Sequence, residues 1–281
     1  MSVLDDIIAG VLEDVRAREC DIPLADMKMM ALAAPDSRDF IAAMKSRQGA
    51  VSIIPEIKRA APMRGRLAQI DDPAGLASIY EAGGASAISV FTERRYFGGS
   101  LADLDAVRTA VEVPLLQKDF IVTPYQIHEA RAHGADVVLL IVAALEQPAL
   151  VSLLERVHSL GMDALVEVHS RYEALLALEA GAHMIGVNAW NLKTMELNRD
   201  TVDQVIDIIP DDVVAVAESG VRTAHDVFEY AKAGADAVVS GEALVTSTSP
   251  ADCLADMVAA GSHPALLTDR RARVRQAHHD H

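Results

Sequence analysis

From Val51 onward, short runs rich in Val, Ile, Leu and Ala alternate eight times with amphipathic stretches. The runs cover 51–58, 85–92, 114–120, 135–143, 163–169, 183–189, 213–219 and 237–244. Their starts lie 20 to 34 residues apart, room for one strand, one helix and two loops. Near-continuous apolar runs suit strands buried on both faces. The joints repeat as well: EAGGAS, RAHGAD, HSLGMD, EAGAHM and KAGADA precede runs two, four, five, six and eight. Each sets a glycine just beyond a helix end, where a positive φ costs it little. Strands alternating with helices imply a parallel sheet, and eight such units close into a (β/α)8 TIM barrel. The competing open doubly wound sheet would carry a Gly-rich dinucleotide loop after its first strand, and none follows run one.

Ahead of the barrel, Val3, Leu4, Ile7, Ile8, Val11, Leu12 and Val15 recur at helical spacing. A second helix is expected over 37–47, after a loop containing Pro35. The expected organisation is a helical extension (1–50) covering the barrel mouth, a barrel (51–264) and a polar, disordered tail (265–281). The N-terminus carries acids where a signal peptide needs a basic start. The apolar run DVVLLIVAAL stops at Glu146, well short of the ~20 residues of a membrane span. Cys20 and Cys253 fit no metal or redox spacing. The expected setting is cytoplasmic, with no membrane partner. With 25 Lys+Arg against 41 Asp+Glu, the net charge of −16 and the lack of a basic block ahead of the tail exclude nucleic acid as the main partner.

A barrel carries its active site at the C-terminal ends of its strands. Run one ends Pro55-Glu56-Ile57-Lys58, with Glu56 and Lys58 on one face. Run three ends Gln117-Lys118-Asp119-Phe120, run five contains Glu167, and run six ends Gly186-Val187-Asn188. Two lysines and two glutamates therefore converge on the mouth. A plain buried ion pair is one use of such charges, but a charge near the end of an apolar strand is costly without partners. Lys118 and Glu167 are accordingly read as chemical groups: an ammonium that donates a proton or holds an anion, and a carboxylate base. Runs seven and eight end Glu218-Ser219-Gly220 and Ser240-Gly241-Glu242. Their small residues open turns whose backbone N–H groups suit a phosphate, although helix capping alone explains many such glycines. His128 and His169 show no metal-ligand spacing, and the tail with Arg270, Arg271, Arg273, Arg275, His278, His279 and His281 reads as solvated.

With these residues in place the chain resembles the indole-3-glycerol phosphate synthase family from its leader helix to about residue 264. The resemblance rests on Pro55-Glu56-Ile57-Lys58-Arg59, on Phe91-Thr92-Glu93 with Tyr96-Phe97-Gly98-Gly99-Ser100, and on Lys118-Asp119-Phe120-Ile121-Val122. It continues through Leu165-Val166-Glu167-Val168, Ile185-Gly186-Val187-Asn188 and Ala217-Glu218-Ser219-Gly220-Val221. It implies a carboxy-lyase of tryptophan biosynthesis acting on the phosphosugar adduct 1-(2-carboxyphenylamino)-1-deoxyribulose 5-phosphate, without metal or organic cofactor. It further implies Lys118 as the general acid of ring closure and Glu167 and Lys58 as the acid/base groups of dehydration. Glu56 would orient these lysines, Asn188 and Phe97 would contact substrate, and Ser219, Gly220, Gly241 and Glu242 would lie at the phosphate.

Two positions depart from the family pattern. Ala61 precedes Pro62 where a serine is usual, and Trp190 stands where an arginine is usual, followed by Asn191 in place of aspartate. Both are expected at the substrate, and Arg59, Arg64 or Arg66 is a candidate replacement for the charge. Three readings follow: a synthase with a remodelled anion contact, a divergent paralogue acting on a related phosphosugar adduct, or a catalytically impaired barrel serving as a binding or regulatory partner. Phosphoribosylanthranilate isomerase fits less well, because run one has no cysteine. The expected assembly is a monomer or homodimer.

Overall fold

The computed structural model describes residues 2–45, 50–62, 64–191 and 194–266. The expected tail lies almost wholly outside them, as do residues 46 and 47 of the second expected helix. The leader contains α1 (Val3–Asp21), α2 (Leu24–Ala33) and α3 (Phe40–Lys45). The units that follow are β1 (Ser52–Ile57), α4 (Pro73–Ala82), β2 (Ile88–Phe91), α5 (Leu101–Ala110), β3 (Leu115–Lys118), α6 (Pro124–Ala132), β4 (Val137–Ile141) and α7 (Gln147–Ser159). Then come β5 (Asp163–Val168), α8 (Arg171–Glu179), β6 (Met184–Asn188), α9 (Asp200–Ile206), β7 (Val214–Glu218), α10 (Ala224–Lys232), β8 (Ala237–Ser240), α11 (Glu242–Val245) and α12 (Pro250–Gly261).

The eight strands form a closed parallel barrel in chain order, with β1 paired to both β2 and β8. Each expected run contains one strand, trimmed at the ends. Run eight is divided: Ala237–Ser240 is strand, and after Gly241 the chain turns into α11. The joint glycines Gly84, Gly134, Gly161, Gly181 and Gly234 all have positive φ, from 76° to 103°. A side chain there would be strained, which is why the repeat keeps glycine.

α2 was not expected. Pro23 precedes it, and its Leu, Ala, Met and Lys residues are good helix formers without a clear apolar period. Met27 and Ala31 are its buried residues, and the helix lies along α6. The leader runs the length of the barrel. α1 meets the loop after β2, where Arg95 pairs with Asp14 (2.7 Å) and Glu13 (3.0 Å), and its Arg18 pairs with Glu129 of α6 (2.7 Å). Residues 37–45 instead cross the opposite face. There Ser37 donates to the Gly161 carbonyl, Arg38 to those of Val111 and Val113, and Ser52 to that of Met44. Among the described residues, no helix is long and apolar enough to cross a membrane.

Two apolar layers result. Outward strand residues such as Ile53, Val90, Val138, Val166 and Val238 pack against the surrounding helices. Inward residues, including Ile54, Leu116, Leu139, Leu165, Met184, Val216 and Val239, fill the barrel and join Ile7, Val11, Phe40 and Met44 of the leader.

Candidate active site

Strand alternation builds the site. On four of the strands the residue two beyond the inward apolar one carries a charge on the same face: Ile54 then Glu56, Leu116 then Lys118, Leu165 then Glu167, Val216 then Glu218. All four charged residues are buried. Lys118 Nζ donates to Glu167 Oε2 at 3.0 Å and also pairs with Glu218 Oε2. On the rim Lys58 Nζ lies 2.7 Å from Glu56 Oε1. The structure therefore brings together all four residues expected to carry chemistry.

Burial opposes the Lys118 charge, but the carboxylates of Glu218, Glu167 and Glu56 outweigh it and hold its pKa above the ordinary lysine value. Burial alone would raise the Glu167 pKa; Lys118 and His169 pull it below the usual carboxylate range. Burial dominates at Glu218 and pushes it up to about 7, against the opposing pull of Lys118. The site holds one ammonium between two carboxylates of unlike character.

Glu218 and His169 stand in this cluster without being among the site residues expected from the sequence. Glu218 obeys the same alternation as Lys118, but its neighbours Ser219 and Gly220 drew the phosphate assignment instead. His169 sits two residues past Glu167, with Nε2 3.3 Å from Glu167 Oε1 and Nδ1 3.2 Å from Glu173 Oε2. Its i, i+2 relation to Glu167 was the available signal.

Phe97 lies in the loop after β2 and stacks on Phe91 at 4.1 Å, with Phe120 at 5.9 Å. Glu93 fixes that loop by accepting the backbone N–H groups of Arg95, Tyr96 and Phe97. Asn188, at the end of β6, accepts the Ser219 hydroxyl at 2.7 Å and the backbone N–H of Trp190 at 2.9 Å. Trp190 pairs with Leu197 in a short hairpin, and both Trp190 and Ala61 pack, half-buried, against the inner cluster.

The turn after β7 is held from outside. Ser219 and Gly220 both have positive φ, 66° and 76°. Tyr230 donates to the Ser219 carbonyl at 3.0 Å, and Arg199 donates to the Gly220 carbonyl. Gly241 has a packing reason of its own: a Cβ there would lie 2.6 Å from Glu56 Oε1 and 3.1 Å from Lys58 Nζ. The Glu242 side chain pairs with Arg64 at 3.0 Å. Arg59 is committed to Asp103 and to the carbonyls of Ile70 and Gly98, which leaves it no role as a replacement charge. Among the described residues, no group of three or more His, Cys, Asp or Glu is arranged to hold a metal ion.

A (β/α)8 barrel with buried acid and base groups at the C-terminal ends of its strands belongs to the class of barrel enzymes. Residues 4–257 match the family model of indole-3-glycerol phosphate synthase. The chain is 60% identical to the indole-3-glycerol phosphate synthase of Beutenbergia cavernae over 96% of its length and all of that protein's. It is 60% identical to that of Mycolicibacterium gilvum over 94% of this chain and 96% of the relative, and 59% identical to that of Rhodococcus jostii over 94% and 97%. Among solved structures, a thiamine phosphate pyrophosphorylase from Pyrococcus furiosus shares the fold alone, with a TM-score of 0.59, 15% identity, and coverage of 79% of this chain and 100% of that one. The chain belongs to the indole-3-glycerol phosphate synthase family. Of the three readings open from the sequence, the synthase is the one its relatives carry.

Proposed function

We propose that the chain closes 1-(2-carboxyphenylamino)-1-deoxyribulose 5-phosphate to indole-3-glycerol phosphate, with loss of CO2 and water, through the residues at its barrel mouth. The observation that carries this reading is the Lys118 ammonium, buried between Glu167 and Glu218 and kept charged by them. Attack of the carboxyl-bearing ring carbon on the ketone forms a C–C bond and leaves charge on the ketone oxygen. Lys118 donates the proton that neutralises it. Departure of CO2 leaves its electron pair in the benzene ring and restores that ring's aromaticity.

The hydroxyl formed in the first step must then leave as water. Lys58, held by Glu56, supplies its proton, and the Glu167 carboxylate removes the neighbouring ring C–H proton, so the five-membered ring becomes aromatic. Lys118 and His169 hold Glu167 ionised, the form a base must have, at the cost of some intrinsic basicity. A substrate entering as a carboxylate takes up one proton per turnover, since its charge leaves as neutral CO2. Phe97, Asn188, Trp190 and Ala61 contact the sugar and aromatic ring. The turns at Ser219-Gly220 and Gly241-Glu242 take the phosphate by their backbone, with Arg64 close by as a counter-charge. α1 excludes water from the mouth, which strengthens the interactions inside. The same reading takes a small-molecule phosphosugar as the partner and a cytoplasmic setting, where phosphorylated biosynthetic intermediates are made.

The test is indole fluorescence of the product with purified protein. Turnover is expected, and Lys118→Ala lowers kcat by ~10²–10⁴, the contribution of a general acid, while substrate still binds. A folded wild-type protein silent at millimolar substrate overturns the reading. Near-wild-type turnover of Lys118→Ala removes Lys118 as the acid.

A further inference from the structure

Glu167 has one oxygen on Lys118, while its other oxygen, Oε1, is buried without a hydrogen bond among the described residues. The neighbour of that oxygen is His169 Nε2 at 3.3 Å, itself buried and without a hydrogen bond at this geometry. A small rotation of the ring or carboxylate makes the bond. The far ring nitrogen, Nδ1, lies 3.2 Å from Glu173 Oε2, and the same oxygen accepts the His169 backbone N–H at 2.7 Å. Glu173 sits in the first turn of α8, fixed by the Ser170 N-cap, which accepts the Glu173 N–H at 3.2 Å. A line of three side chains thus leads from the chemical centre to the rim. Exposure rises outward along it, from 2% at Glu167 through 6% at His169 to 20% at Glu173.

We propose that His169 is a positioning residue for the reaction: with Glu173 as its anchor, it holds Glu167 with one oxygen on Lys118 and the other on the imidazole. This rests on the assignment of Glu167 as a base in the preceding subsection. The electrostatics agree. Burial opposes charge on the ring, but the adjacent carboxylates of Glu167 and Glu173 outweigh it and push His169 up to about 10. An imidazolium beside Glu167 keeps the carboxylate ionised. The charged groups facing this pair are Glu173 from α8, Lys118 from β3, Glu218 from β7 and, through Lys118, Glu56 from β1.

The experiment compares His169→Asn, His169→Phe, Glu173→Gln and Glu167→Gln in the full-length protein by kcat, KM and the pH profile of kcat. For His169→Asn the expectation is a kcat loss of about tenfold from the looser placement of Glu167, with KM within about twofold. The acid limb of kcat moves to higher pH, because Glu167 loses a neighbouring cation and is protonated more readily. His169→Phe, which keeps no donor, is worse than His169→Asn. Glu173→Gln moves in the same direction by less, since it loosens the anchor without removing the ring. A His169→Asn enzyme with wild-type kcat and an unshifted acid limb overturns the proposal. So does a kcat loss that leaves the limb in place and only follows a lowered Tm, which is the signature of a structural pair. If Glu167→Gln retains kcat, the assignment of Glu167 fails; if it loses kcat while His169→Asn does not, this inference alone fails.

Discussion

Gly186 lies on β6, level with Glu167 of β5 and Val216 of β7. A Cβ at this position would fall far inside van der Waals contact with Glu218 Oε1 and would sit 3.2 Å from Leu165 Cδ1. The missing side chain is the space that Glu218 occupies. Gly186→Ala is therefore expected to lower kcat by ~10² or more by displacing Glu218 from Lys118, while the circular dichroism of the folded barrel is unchanged. Wild-type kcat in that variant would show that Glu218 has no part in the chemistry. At this scale the sequence was partly legible. Lys118, Glu167 and Glu56 stood out because a charge interrupting an apolar strand has few bland explanations. Glu218 did not, since a glutamate followed by Ser-Gly looks like the edge of a turn, and its inward direction depends on a register only the closed barrel defines. Trp190 poses the opposite problem, being conspicuous in sequence and quiet in structure, half-buried with its backbone N–H on Asn188 Oδ1. Trp190→Arg is expected to raise kcat/KM about tenfold, the lower end of a charge-assisted hydrogen bond to a substrate anion. An unchanged or lower value would show a site adapted around the indole.

Elements position what residues supply. The turn that joins β7 to α10 holds a non-glycine residue at φ 66°, a conformation costing of order 1 kcal/mol. Tyr230 of α10 stabilises it through the Ser219 carbonyl, and burial pushes the phenol up to about 12, so it remains a donor at neutral pH. Tyr230→Phe is expected to raise KM several-fold with kcat nearly unchanged, because the turn is proposed to hold phosphate remote from the reacting atoms. An equal fall in kcat at constant KM would assign the turn to the chemical step. α6 carries a different consequence. His128 is buried on it with no partner for either ring nitrogen among the described residues, and burial, with Arg156 and Lys28 nearby, lowers its pKa from 6.5. The unfolded chain therefore binds a proton more readily than the folded one. The contribution of neutral His128 to stability is intact above about pH 6.5 and is lost as pH falls through the lower folded value. His128→Leu should flatten the loss of urea midpoint between pH 7.5 and 5.5 relative to wild type, and parallel curves would refute this. The helices around the barrel were legible from their period and their glycine joints, whereas α2 was not. Its helix formers lack a stripe, and what orders it is contact with α6, which no local pattern encodes.

For the whole molecule, the leader ties the two ends of the barrel together. α1 touches the mouth loops through Asp14 and Glu13 on Arg95, while residues 37–45 close the opposite end with Phe40 and Met44 in the inner core. A single apolar cluster runs from Ile7 through the barrel interior to Phe40, so the leader has no core of its own to fold around. The sequence showed a helix that must pack on something; it did not show that the next segment would run down α6 and underneath, because that route depends on tertiary contacts alone. The two ends predict separable effects. Phe40→Ala opens a cavity in the sealed end and should cost about 3–5 kcal/mol of stability, with KM unchanged in the protein that remains folded. Ile7→Ala should cost about 2–5 kcal/mol by the same account, but it also loosens α1 against the mouth and should raise KM. Denaturation midpoints and KM measured side by side decide the matter. If Phe40→Ala raises KM as much as Ile7→Ala does, the leader acts as one cooperative plug. If only Ile7→Ala does, α1 is the part of the leader that serves the substrate and the segment beneath serves the fold.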